Sequence, residues 1–284
     1  MPARVGPRTG SAALRYPHEV VERDLDRALG IEQSGTGAWR AVADPNYESL
    51  NGMFGGWTAA LALRAVMDSA PQETKPSVLN VNFISKIDPG VSVIVKTRHT
   101  GGSRAIGHWM AELMSEDEGT TFAIASVVLA SRRSSDGHVD VAAPRAPDPD
   151  SLELVFPAPG TAGERCAMRP IEGFPPYDRS TTYSTAWVKE TSGRPVDHLQ
   201  LAFLSDFRPP RSFFWSGGPR PSATLALCVY FHATDEEVAD LGDDYLLSEA
   251  FGIRGEQSTS EEHLRLWSPA GALLSSSFQM AWYR

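Results

Sequence analysis

One plan of elements occurs twice along the chain, and that repetition limits the fold more than any single motif. The first copy opens with NGMFGGWTAALALRAVMDSAP, where residues 54–67 place apolar side chains on every side of a helical wheel and Arg64 is the only charge. Such a segment describes a helix buried nearly all round, and Pro71 ends it. Four runs with strand character follow: VLNVNFISK, VSVIVKTRH, SRAIGHWMAELMS and TFAIASVVLASRR. The second copy starts with a shorter apolar helix, DHLQLAFLS, and continues with ATLALCVYFHA, YLLSEAFGIRGE, SEEHLRLWS and ALLSSSFQMAWYR. The closing hairpins also match, since each is strand, polar turn, strand and terminal arginine. A duplicated module of one helix and an antiparallel sheet is the simplest account, and it sets the class as α+β. Periodicity alone leaves open which α+β fold this is.

The chain divides accordingly into a flexible N-terminal arm (1–36), a first module (37–135), a linker (136–179) and a second module (180–284). The linker is crowded with proline, glycine and charge, as in PRAPDPDSLELVFPAPG. A bridge of this kind is expected to run over the surface, although STTYSTAWVKET looks like an added strand of the second module. With 284 residues and 42% hydrophobic composition, the chain can bury a substantial core. A net charge of −9 argues against a nucleic-acid partner, which would require a basic face to neutralise phosphates. Two cysteines, Cys166 and Cys228, lie far apart without metal-ligand spacing, so neither a metal site nor a disulfide framework is expected. The arm lacks the apolar core of a signal peptide, and no later apolar run approaches membrane-spanning length. The expectation is a cytoplasmic protein without a membrane partner.

Several segments, in order, resemble a known family. MFGGWTAALAL, IDPG, GGSR, the LAFLSD helix, the strand ending VYFH and the closing SSFQMAWYR are similar to the acyl-CoA thioesterase II group of double-hotdog proteins, over roughly residues 39–284. The resemblance implies a double hotdog, two modules in each of which a curved antiparallel sheet wraps a helix. It implies hydrolysis of acyl-CoA to free acid and coenzyme A, with no cofactor, by an Asp-Thr-Gln set that holds and activates water. Taken position by position, the acid ending the second helix is Asp206. The threonine eight residues before the histidine of the FH strand is Thr224, before His232. The glutamine of the final strand is Gln279. Sheet surfaces of such proteins commonly pair, so a homo-oligomer is expected.

The residue types suit the chemistry. A carboxylate acts as general base only where its surroundings raise its pKa toward neutrality, and Leu201, Phe203, Leu204 and Phe207 would desolvate Asp206. An acid at a helix C-terminus also faces the negative end of the macrodipole, a poor place for a merely structural anion. Thr224 and Gln279 would orient a water without neutralising the acid. Direct attack by Asp206 on the carbonyl, through an anhydride, would use the same residue. Substrate contacts are assigned to Gly55, Gly56 and Trp57. The first two would bring backbone N–H groups at a helix start to a carbonyl oxygen, or else merely allow close packing. Trp57 stands where the family usually has a polar residue, and its indole would reshape the acyl pocket.

Plainer readings compete. Asp206 could be a surface acid paired with Arg208. Thr224 is an ordinary strand residue. In the last strand Leu274, Phe278, Met280 and Trp282 share one face, and Gln279 shares the other with Ser275, Ser277 and Ala281, so Gln279 could simply face water. His198 and His232 lie at segment ends and have no role in the family. Ser205 lacks a G-x-S-x-G elbow, and the GTG at 35–37 lacks the lysine and helix of a nucleotide loop. The Asp and His pair that a hotdog hydratase needs precedes neither helix. A non-catalytic acyl-CoA or lipid-binding protein of the same fold is the rival of a different class. The acidic segment 235–244, where the family often has Arg-Pro, would repel coenzyme A phosphates if it faced the site.

Overall fold

The computed structural model describes residues 24–156, 160–174, 177 and 180–284. The elements run α1 (Asp24–Ala28), β1 (Glu32–Gly35), β2 (Ala38–Val42), a small hairpin of β3 (Glu48–Ser49) and β4 (Gly52–Met53), α2 (Gly55–Ser69), β5 (Lys75–Phe83), β6 (Ser92–Gly102), β7 (Ile106–Ser115) and β8 (Thr121–Ala130). They continue with α3 (Thr161–Glu164), β9 (Cys166–Glu172), β10 (Ser184–Glu190), α4 (His198–Leu204), α5 (Ser212–Ser216), β11 (Ser222–Phe231), α6 (Asp235–Leu241), β12 (Leu246–Glu256), β13 (Thr259–Trp267) and β14 (Leu273–Tyr283).

Twelve strands form one antiparallel sheet in the order β1-β2-β6-β7-β8-β5-β11-β14-β13-β12-β10-β9. Read outward from the β5–β11 junction, the two halves have the same order: the strand after the helix, then the last, third and second strands of the module, then two strands that precede the helix. The duplication is therefore of six strands and a helix. The junction itself is a regular ladder in which Leu227 pairs with Val81 and Val229 with Leu79. These four side chains are buried, and with α2 and α4 they belong to one core. This arrangement is the double hotdog of α+β class.

The outer strands correct two boundaries. Residues 24–36, assigned to the arm, contain α1 and β1, and Leu25, Ala28 and Leu29 are fully or nearly buried in the core; residues 1–23 lie outside the described residues. Within the linker, residues 131–142 are exposed as expected, but Cys166–Glu172 is strand β9, paired with β10 from Glu190↔Cys166 to Thr185↔Glu172. Alternation could not show this, because the burial of β9 and β10 is nearly continuous along each strand.

β14 shows which of its two faces turns inward. Ser275, Ser277, Gln279 and Ala281 are the buried set, while Phe278, Met280 and Trp282 are each about 40% exposed. Small hydroxyl side chains let α4 lie close to the sheet, and Ser277 donates from its hydroxyl to the Ser205 carbonyl in the last turn of α4 at 3.2 Å. On the opposite face the rings of Phe251, His263, Phe278 and Tyr230 form a ladder across four strands, with neighbouring centroids 4.5 to 5.8 Å apart.

Candidate active site

The site begins with the way α4 ends. Its start is capped by Asp197, whose carboxylate accepts the Gln200 N–H at 2.9 Å and is held by two Arg194 bonds of 2.7 Å. All seven residues of the helix are buried. Beyond Leu204 the chain tightens, with Phe207 N–H bonding to Leu204 O at 3.0 Å, and Pro209 and Pro210 prevent the helix from continuing. Asp206 is thereby turned out of its own helix.

It meets the start of the other one. The residue preceding α2, Phe54, offers no side-chain cap, and the Asp206 carboxylate instead lies against the Gly55–Gly56 backbone, where the Gly56 N–H favours its charged form. The acid thus closes α4 and caps α2, so the unfavourable dipole of the first is opposed by the favourable dipole of the second. Both glycines are required by this approach. A Cβ on Gly55 would lie 2.5 Å from Asp206 Oδ2, and one on Gly56 would collide with the Phe203 carbonyl.

The two other predicted residues come from the sheet beneath. Thr224, near the start of β11, donates its hydroxyl to Asp206 Oδ1 at 3.4 Å. Gln279 of β14 donates from Nε2 to Thr224 Oγ1 at 2.8 Å. Arg208 in turn donates to Gln279 Oε1 at 2.6 Å. Burial pushes the Asp206 carboxyl up to about 6; the nearby Arg208 cation opposes this, Glu262 adds to it, and the Gly56 N–H and Thr224 hydroxyl pull it down.

Two further residues were not foreseen. Glu262 of β13 lies directly across from Gln279, with its side chain 1% exposed and 3.5 Å from the Arg208 guanidinium. Arg211 is wholly buried; its N–H donates to Glu262 Oε1 at 2.8 Å, and its guanidinium donates to Thr182 O and Ser184 Oγ, each at 2.8 Å. A signal for Glu262 was present in SEEHLRLW, where it shares a face with Ser260, Leu264 and Leu266: an acid on the apolar face of a strand needs a buried partner. Arg208, read as a possible surface partner of Asp206, is 2% exposed.

Other expectations are placed elsewhere. Trp57 is fully buried, and its indole N–H donates to the Ala28 carbonyl at 2.9 Å, which ties α2 to α1 rather than presenting the ring to Asp206. His198 opens α4, at the end away from Asp206, and packs on the Phe231 ring. His232 follows β11 and bonds Ser276 Oγ at 2.9 Å. The acidic segment forms α6, capped by Thr234 and Glu237. It starts beyond Phe231, seven residues from Thr224 and so roughly 23 Å along the strand, and Lys75 pairs with Asp235 at 3.3 Å. Its charge is therefore remote from the carboxylate. Among the described residues no helix is long and apolar enough to cross a membrane.

Residues 43–130 match the acyl-CoA thioesterase N-terminal domain, and residues 139–283 match the acyl-CoA thioesterase C-terminal domain. The chain belongs to the acyl-CoA thioesterase family. No curated protein matches it in sequence. Among solved structures, a conserved hot dog fold protein of unknown function from Alicyclobacillus acidocaldarius is 27% identical, with 92% of this chain and 97% of that one covered and a TM-score of 0.86. The acyl-CoA thioesterase II TesB2 from Mycobacterium marinum is 18% identical over 92% and 98% of the two chains, with a TM-score of 0.73. The tesB protein of Mycobacterium avium subs paratuberculosis has the same identity, coverage and score. At 18% identity these two likenesses speak for the double-hotdog fold of this family member.

Proposed function

We propose that the protein hydrolyses acyl-CoA thioesters with Asp206 as general base. The observation that carries this reading is the continuous hydrogen-bond chain from Gln279 through Thr224 to a carboxylate whose pKa is pushed up to about 6. A base of that strength is mostly ionised at neutral pH and still accepts a proton readily. Asp206 would take one hydrogen of a water that also contacts Thr224 Oγ1 and the second amide hydrogen of Gln279.

The water oxygen bonds to the thioester carbonyl carbon, and its proton passes to Asp206. The carbonyl electrons move to oxygen, facing the first turn of α2. There the Gly56 N–H already serves the acid, which leaves the Gly55 N–H, on a residue without a side chain, as the proposed oxyanion donor. Collapse breaks the C–S bond, the coenzyme A sulfur takes the proton held by Asp206, and the free acid leaves.

The test is release of coenzyme A thiol from a panel of acyl-CoAs. The wild type is expected to turn over, and Asp206→Asn to lose about 10²-fold or more in kcat. An Asp206→Asn variant as fast as wild type would remove the base assignment. A wild type that binds acyl-CoA without releasing thiol would make the protein a carrier.

A further inference from the structure

We propose that Arg208, anchored by Glu262, is a positioning residue that fixes the amide of Gln279 and thereby sets the direction of the hydrogen-bond chain to Asp206. This rests on the reading of Asp206 as the base.

The argument starts from the symmetry of a carboxamide. Its oxygen and nitrogen differ little in size, so a glutamine between two polar neighbours can adopt either of two flips. An arginine is a donor only. With the Arg208 guanidinium 2.6 Å from the amide, Gln279 must present Oε1 to it, and Nε2 then faces Thr224. Thr224 Oγ1, having accepted that bond, directs its single hydrogen to Asp206. In the reverse flip the amide nitrogen would meet the guanidinium, donor against donor, and Oε1 would draw the threonine hydrogen away from the acid. The remaining Nε2 hydrogen would then no longer point toward the proposed water.

Arg208 can impose this choice because it is itself held. It donates to Ser205 O at 2.8 Å and to Ser277 Oγ at 3.4 Å, and it lies 3.5 Å from Glu262. Glu262 is fixed by the Arg211 N–H. Among the described residues, the hydrogen bonds of Arg208 go to Ser205, Ser277, Gln279 and Glu262, and none goes to Asp206. This matters for a base. An arginine bonded to the acid would bind its lone pairs and weaken it as a proton acceptor. Here the cation has its own anion, and the lone pairs of Asp206 that Thr224 and Gly56 do not use stay free of the guanidinium. Two acids and two arginines also balance the charge of the buried cluster, which an isolated arginine at 2% exposure would not.

The variants are Arg208→Met and the charge-neutral pair Arg208→Met with Glu262→Gln, in which the introduced amide oxygen can still accept the Arg211 N–H. Three readouts separate positioning from packing. In wild type the side-chain NH2 of Gln279, assigned by its loss in Gln279→Ala, should give two resolved nitrogen-correlated NMR signals, and both variants should move and broaden them. In both variants kcat should fall about 10- to 100-fold with KM nearly unchanged, the scale of a misplaced reacting group. In a Gln279→Ala background, Arg208→Met should cost no more than about twofold further, since it acts through the missing amide.

A folded neutral pair with wild-type kcat and unmoved Gln279 signals overturns the proposal, as do losses that multiply across the two backgrounds. If wild type hydrolyses no acyl-CoA, the base reading falls by itself, and the Gln279 signals alone decide whether Arg208 holds the amide.

Discussion

At the scale of single residues, Asp206 ties stability to pH in a direction opposite to that of an ordinary paired acid. Its carboxyl rises from 3.8 to about 6 on folding, so between these values the folded state binds more protons than the unfolded one. This group therefore favours folding in full below about pH 4, and that contribution is lost as pH rises through about 6. Melting temperatures of wild type and Asp206→Asn should diverge in favour of the variant between pH 4 and pH 7, on the same linkage. Activity should run the other way, with kcat/KM falling below about pH 6 as the base is protonated. Gly56→Ala should be destabilising by about 1 to 3 kcal/mol, the scale of overpacking, because its Cβ meets the fixed Phe203 carbonyl; a lowered denaturant midpoint would show it. Asp206, Thr224 and Gln279 were picked out of the sequence by the family resemblance, position by position, and the chemistry of thioester hydrolysis only made their types suitable. The burial of Arg208, read as a surface partner, was not legible, since nothing along its own segment marks it, whereas Glu262 carried a signal as an acid on the apolar face of β13.

At the scale of elements, the contrast between the two helix starts is informative. α4 has its own cap in Asp197, whereas α2 borrows one from the other module. Asp197→Ala should cost about 1 kcal/mol for the cap, with a further loss for Arg194, which gives up both of its bonds to that carboxylate; thermal melts at neutral pH would measure it. The long strands and the two buried helices α2 and α4 could be located from the sequence because their apolar patterns persist over most of each element, whereas the short helices α1, α3, α5 and α6 carry no such pattern. The orientation of β14 could not. Alternation separates two faces but does not say which is inward, and three large apolar residues opposite serines suggest the wrong one. α4 needs the small face, and the ring ladder occupies the other. Edge strands such as β1, EQSG, exposed at all four positions, leave no pattern to read.

At the scale of the whole molecule, a twelve-stranded sheet and a main core that both modules share make the two modules one unit for unfolding. The β5–β11 ladder carries buried side chains from both, and α2 packs on α4 through contacts such as the Phe54 and Phe203 rings, 5.3 Å apart. Denaturation should accordingly show one transition, with tryptophan fluorescence from the first half, reported by Trp39, Trp57 and Trp109, coincident with that from Trp187 and Trp267 of the second. A fragment comprising 180–284 should fail to melt cooperatively, since it would expose the β11 edge and the apolar flank of α4. The duplication itself was legible from the repeated order of helix and strands, while its true extent was hidden in edge strands that lie among linker and arm.

The shared cap also keeps time. Because Asp206 is completed by an N–H from the other half of the chain, no species with only one folded module can hold a finished site, however native its own strands. In a refolding experiment, circular dichroism would follow the growth of each half, and regained turnover would mark the later moment at which the two halves come together.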